Sequence, residues 1–196
     1  MCEAVTSGIL VRMEHVPLAT LHTGLAVIRE SPRDHGRVEL IVRRPAENER
    51  EVLAEAELST VGGLVGDSWS TRGSSSTEDG SPNPKAQVTL MNARAAALVA
   101  GSPDRRQLAG DQLFVDLDLS AEGLPPGTQL AIGPAVIEIT DLPHRGCGKF
   151  SARFGVDALK FVNSNEGRVL NLRGVNAKVV VGGLVRSGDL VRRVAT

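Results

Sequence analysis

The segment 142–155 reads LPHRGCGKFSARFG and sets one cysteine between two glycines, with His144, Arg145 and Lys149 within three residues of Cys147. Three kinds of chemistry suit such a residue: a working thiol, a metal ligand, or a small apolar filler. A filler cysteine usually lies in an apolar run, whereas Cys147 has cationic neighbours. Phe150 and Phe154, at i and i+4 in KFSARF, predict a helix that begins just after it. Cations and the positive end of a helix both favour thiolate over thiol, the setting of a reactive cysteine. Gly146 and Gly148 leave the backbone open to a bulky substrate, and their amides could hold an anion. His144 and Cys147 also stand in an H-x2-C spacing that offers two ligands to one divalent metal ion. His15, His22 and His35 all lie in the first fifth of the chain, so a zinc-type site needs His22 or a carboxylate such as Asp67 brought in by the fold.

Other polar positions divide in the same way. Asp116 and Asp118 form an i, i+2 carboxylate pair suited to acid–base work or a cation, or to a solvated strand face. Asn171, Arg173 and Asn176 fall on or beside LNLRGVNAK. There, Arg173 could clamp a phosphate or carboxylate bidentately, or make a surface ion pair. No G-x-S-x-G pattern occurs, which removes the Ser/His/Asp hydrolase class. The related stretches VGGLVGD (61–67) and VGGLVRSGD (181–189) read as glycine β-turns, and neither has the spacing of a dinucleotide or Walker phosphate loop.

These side chains must be positioned by short β-rich runs separated by Gly, Pro, Asn and Asp. Strands are expected over 36–44, 52–59, 86–91, 112–119 and 135–140, and QLAIGPAVIEIT predicts a hairpin turning at Gly133–Pro134. RVLNLR, NAKVVV and DLVRRV add three more strands near the C-terminus. Two helical regions are expected: 93–99, capped by Asn92 and ended by Gly101 and Pro103, and the one after Cys147. Residues 68–85 read as a long surface loop, flexible in character, with Trp69 at its start either anchoring it or covering a ligand. The expectation is a mostly β, closed or partly open β-barrel with a few short helices, in one domain over 1–196.

With 196 residues, 41% hydrophobic and 23% charged, the chain can close one core. Aromatics make up 3% and the net charge is -1, which argues against a base-stacking nucleic-acid reader and against a basic membrane surface. A small-molecule substrate or cofactor is the expected partner. The two cysteines, Cys2 and Cys147, make no disulfide framework. The opening MCEAVTSGILVRMEH has no signal-peptide pattern, and no run of 18 apolar residues occurs, so a cytoplasmic setting without membrane partners is expected.

Taken in order, GLVGD (63–67), QVTLM (87–91), AGDQL (109–113), LPPGTQLAIGPAVIEITDLPHRGCGKF (124–150) and RGVNAKVVVGGLVRSGD (173–189) resemble the MOSC domain, named after the C-terminal domain of molybdenum cofactor sulfurase. Gly146 stands where the family often has Pro, and Gly110-Asp111-Gln112 where it has a G-E-N-like stretch. The resemblance implies a mostly β barrel and a motif cysteine, Cys147, that carries sulfur as a persulfide or binds molybdenum in its pterin (molybdopterin) cofactor. It further implies a sulfur transferase or molybdenum-dependent oxidoreductase, with Lys149 as the basic residue two places on; His144 lies outside the family's common pattern, and its expected catalytic role comes from its place beside Cys147 alone. By the same resemblance Arg145, Arg173, Asn171, Gly66 and Asp67 are expected to contact the cofactor. Sulfur mobilised with pyridoxal phosphate would have to come from a separate sulfur-donor protein. Strand edges left open by an incomplete barrel would suit a homodimer. Two readings outside the family stay open: a divalent-metal lyase or hydrolase with His144 and Cys147 as ligands, and a non-catalytic binding module.

Overall fold

The structure, a computed structural model, describes residues 15–74 and 76–194. Cys2 and nearly all of the N-terminal stretch lie outside the described residues. The elements run α1 (Leu18–Thr23), α2 (Leu25–Arg29), β1 (His35–Arg43), β2 (Glu51–Leu53), β3 (Glu55–Ser59), β4 (Gly63–Leu64), α3 (Trp69–Arg72), β5 (Val88–Asn92) and α4 (Ala93–Ala100). They continue β6 (Leu113–Asp116), β7 (Gln129–Ile132), β8 (Ala135–Ile139), α5 (Gly148–Asn163), α6 (Asn165–Val169), β9 (Val175–Val181), β10 (Gly183–Arg186) and β11 (Leu190–Arg193).

Seven strands close on themselves in the order β1, β6, β5, β9, β8, β7, β11 and back to β1, with β2 attached at the far end of β1. The closure depends on Arg37, which pairs with Asp116 of β6 on one side and Leu190 of β11 on the other. Full closure leaves the barrel itself no open edge. All neighbours are antiparallel except β5 and β6, whose parallel pairing requires the crossover supplied by α4 and a 3-10 stretch over Pro103–Ala109.

Period-2 alternation sorts the side chains into two cores. Val38, Ile41, Leu90, Leu113, Val115 and Ile137 fill the barrel. Leu40, Val42, Met91 and Phe114 point outward and bury against Phe150, Phe154 and Phe161 of α5 and against α1, α2 and α4. Val38 and Ile41 are three apart yet share the inner side, because a bulge at Glu39 shifts the register between the pairs Val38–Val115 and Leu40–Phe114.

Most expected elements form within a residue or two. The hairpin at Gly133–Pro134 joins β7 to β8. Asn92 Oδ1 accepts the Ala95 amide at 2.9 Å as the cap of α4, which ends at left-handed Gly101. Four expectations are corrected. The strand over 112–119 stops at Asp116, although Leu117 and Leu119 remain buried. RVLNLR is no strand: Ser164 caps α6 by accepting the Gly167 amide, and Asn171 at φ 47 turns the chain out of any ladder. Thus Asn171 and Arg173 lie in a turn, and only Asn176 is on a strand. The two GGL stretches are short strands, not simple turns: β4 and β10 flank β3 on opposite sides in a separate three-stranded sheet. Finally, the 68–85 segment opens with α3 and ends with a 3-10 turn at Pro84–Ala86. Trp69 is buried and donates from Nε1 to Asn83 O at 3.2 Å, tying the two ends of that segment together in the anchoring role. Among the described residues, no helix is long and apolar enough to cross a membrane.

Candidate functional site

Cys147 is exposed and free, and it stands at the N-cap of α5 in an extended conformation. The segment carrying it is tied to the far end of its own helix. The Gly146 amide donates to Asn163 Oδ1 at 3.0 Å, and Asn163 Nδ2 donates to Gly146 O at 3.0 Å. A side chain at position 146 would press within 2.9 Å of Leu159 and Val162, so glycine lets the peptide lie against α5. A Cβ at Gly148 would meet nothing, so the chain is open just past the sulfur.

Two and six positions beyond Cys147, Lys149 and Arg153 line a cavity of about 340 Å³ that Arg44, Arg50 and Arg72 also line. Glu47, the acidic residue of that lining, is paired with Lys149 at 2.6 Å. Among the described residues Arg50, Arg72 and Arg153 have no carboxylate partner, and Arg50 Nε is buried without a hydrogen bond. Burial, then repulsion from Arg153 and Arg44, pulls the Arg50 guanidinium down to about 10. Burial and Arg44 also lower that of Arg72. Crowded, half-desolvated guanidinium groups of this kind favour an oxyanion, above all a phosphate.

Asp67 lies beneath this cavity. Its carboxylate accepts from Arg44 Nε and Nη2, each at 2.8 Å, and from the Arg44 and Trp69 amides at 3.0 Å. Gly66, at φ 81, supplies the left-handed turn that delivers it. Both residues hold Arg44 and the start of α3 in place, and Arg44 Nη1 also donates to Gly110 O at 2.8 Å.

On the other flank of the motif, Arg173 is a buried ion-pair residue. It holds Asp111 Oδ2 at 2.6 Å, donates to Ala109 O at 3.0 Å and lies over the Phe150 ring. Asp111 is fully buried; desolvation raises its carboxyl, against the pull of Arg173. His144 Nδ1 lies 3.5 Å from Asp111 Oδ1. His144, with Arg145 and Asn171, lines a second cavity of about 250 Å³. The structure therefore divides the expected site residues. Lys149 serves the arginine cavity, His144, Arg145 and Asn171 serve the second one, and Arg173 and Asp67 are buried beneath them. Asp116 is gripped bidentately by Arg94, at 2.8 and 3.0 Å, and shares no site with Asp118, which stands near Arg33. No group of three or more His, Cys, Asp or Glu side chains among the described residues is placed to hold a metal ion.

Burial of the His144 ring, then the charges of Arg173 and Arg44, holds it well below the usual imidazole range near 6.5. Below about pH 6.5 the unfolded chain therefore takes up a proton that the folded chain refuses. Folding stability contributed by this residue is complete above that pH and is lost on acidification toward the depressed folded value. Urea unfolding midpoints measured between pH 7.5 and 5 are expected to fall with acid, and His144→Gln to flatten that dependence by up to one proton.

Sequence reasoning missed Arg44, Arg50, Arg72 and Asn163. The first three come from separate segments and resemble ordinary surface cations in one dimension. Asn163 lies 17 positions from the glycine it clamps.

No protein-family model matches the chain, and no curated protein matches its sequence. Solved structures do match in shape. The YuaD protein of Bacillus subtilis has a TM-score of 0.59 at 14% identity, over 80% of this chain and 94% of that one. YiiM from Escherichia coli gives 0.53 at 18% identity, over 82% and 70%. YiiM from Geobacillus stearothermophilus gives 0.54 at 12% identity, over 82% and 75%. At these identities the likeness is one of fold alone, a closed β-barrel with a few short helices.

Proposed function

We propose that this chain binds a molybdenum–pterin cofactor, with the anionic phosphate in the arginine cavity and Cys147 as a sulfur ligand of the metal. One juxtaposition carries the reading: an exposed thiol stands two residues before Lys149, which lines a cavity where Arg50, Arg72 and Arg153 have no carboxylate partner among the described residues. The donor set fits the group. Arg50, Arg72 and Arg153 offer charge-assisted donors to a phosphate, Arg50 Nε is a buried donor still without a partner, and a thiolate is a soft ligand suited to such a metal. When bound, the cofactor would supply oxidoreductase chemistry. The chain's own part is to neutralise the phosphate, fix the sulfur through the Gly146–Asn163 clamp and leave the approach past Gly148 open.

A second reading, Cys147 as a persulfide carrier, is supported by its exposure, which would let a sulfur-donor protein reach the thiol. The test is elemental and pterin analysis of the protein purified from its native host. Near-stoichiometric molybdenum with pterin is the expected result. A peptide mass showing one extra sulfur on Cys147 without molybdenum selects the carrier reading. Zinc, iron or manganese with neither pterin nor added sulfur overturns both.

A further inference from the structure

The reading of Cys147 leaves the Asp111–His144 pair without a task. Asp111 Oδ1 and His144 Nδ1 face each other at 3.5 Å, and both are buried with no hydrogen-bond partner among the described residues. Buried polar atoms are rarely left in that condition, and a single proton between these two satisfies both. Arg173 grips the other oxygen of Asp111 and opposes the rise that burial gives its carboxyl, an arrangement that suits Oδ1 as the acceptor and Nδ1 as the proton carrier. The neutral ring then keeps a lone pair on Nε2. Nε2 makes no hydrogen bond to the described residues and is not among the sealed, unpartnered atoms, while His144 is one of the residues that line the second cavity.

Arg145 and Arg168 line the same cavity without a carboxylate partner among the described residues. Asp141, the acidic residue of the lining, is taken by Lys85 at 2.8 Å. Asn171 adds an amide whose nitrogen already donates to Leu119 O at 2.8 Å. The cavity thus presents two cations beside a fixed acceptor. We propose that it binds a small hydroxylated organic oxyanion, Arg145 and Arg168 holding the charge and His144 Nε2 accepting the hydroxyl proton in a hydrogen bond.

Glycolate, which has both groups, is the probe, with acetate lacking the hydroxyl and glycerol lacking the charge as controls. Binding is followed through the His144 ring nitrogens by long-range proton–nitrogen NMR, which also reads the tautomer of the free protein. The expected spectrum has the proton on Nδ1, and glycolate shifts Nε2 about tenfold more tightly than acetate does, the difference of one hydrogen bond. Arg145→Ala and Arg168→Ala, both replacing exposed side chains, should each weaken glycolate by about tenfold. A proton found on Nε2, equal binding of acetate and glycolate, or unchanged affinity in the arginine variants overturns the proposal. Cys147→Ala should leave glycolate binding intact, so this site stands or falls separately from the molybdenum reading.

Discussion

Cys147→Ala is expected to empty the protein of molybdenum and pterin, or of persulfide sulfur, while its thermal unfolding stays where it was. The asymmetry follows from exposure. The Cys147 side chain is exposed and makes no capping hydrogen bond, and substitutions at such positions usually change stability by no more than about 0.5 kcal/mol. The Gly146–Asn163 hydrogen bonds involve only the neighbouring peptide and persist in the variant. Loss of the soft ligand, in contrast, leaves a bound cofactor with only the contacts of the arginine cavity. Elemental analysis and a melting curve on the same preparation check both halves. A variant that melts many degrees lower yet keeps its molybdenum or sulfur would mark Cys147 as structural.

Asp67→Ala is expected to be the most damaging single change. The Arg44 side chain is 7% exposed and Asp67 fully buried, so removing the carboxylate strands a guanidinium away from water. Breaking a buried pair from one side costs about 3–5 kcal/mol. The same change frees the Trp69 amide at the head of α3, so the 68–85 segment should become accessible to protease along with the global loss. Urea unfolding of Asp67→Ala, Arg44→Met and the double variant tests the cause. The double variant should be clearly more stable than the sum of the two losses predicts. Strict additivity would mean that the pair contributes through packing rather than charge.

The barrel was legible because one wet or helix-facing side imposes period-2 alternation, visible in GRVELIV and in AVIEIT. The misreading of RVLNLR shows where that signal ends. Six residues with apolar positions at Val169, Leu170 and Leu172 satisfy a strand or a helix end equally well. What decides is the Ser164 cap and the left-handed Asn171, both acting through backbone groups. The Cys147 motif could be read because its parts are contiguous. The arginine cavity could not, because Arg44, Arg50, Arg72 and Arg153 converge across more than a hundred positions, and a charged residue facing a cavity looks in sequence like one facing solvent. Arg173 was expected at the surface or on a ligand. Its burial depends on Asp111, a partner 62 positions away.

The Asn163 clamp has a mechanical consequence. The loop bearing the thiol and the helix that follows it form a closed ring, joined in chain at Gly148 and by two hydrogen bonds at Asn163, with left-handed Gly155 as the ring's bend. The sulfur therefore travels with α5, whose phenylalanines rest on the outer face of the barrel. Small displacements of α5 across that face would carry the thiol with them while leaving every strand pairing intact.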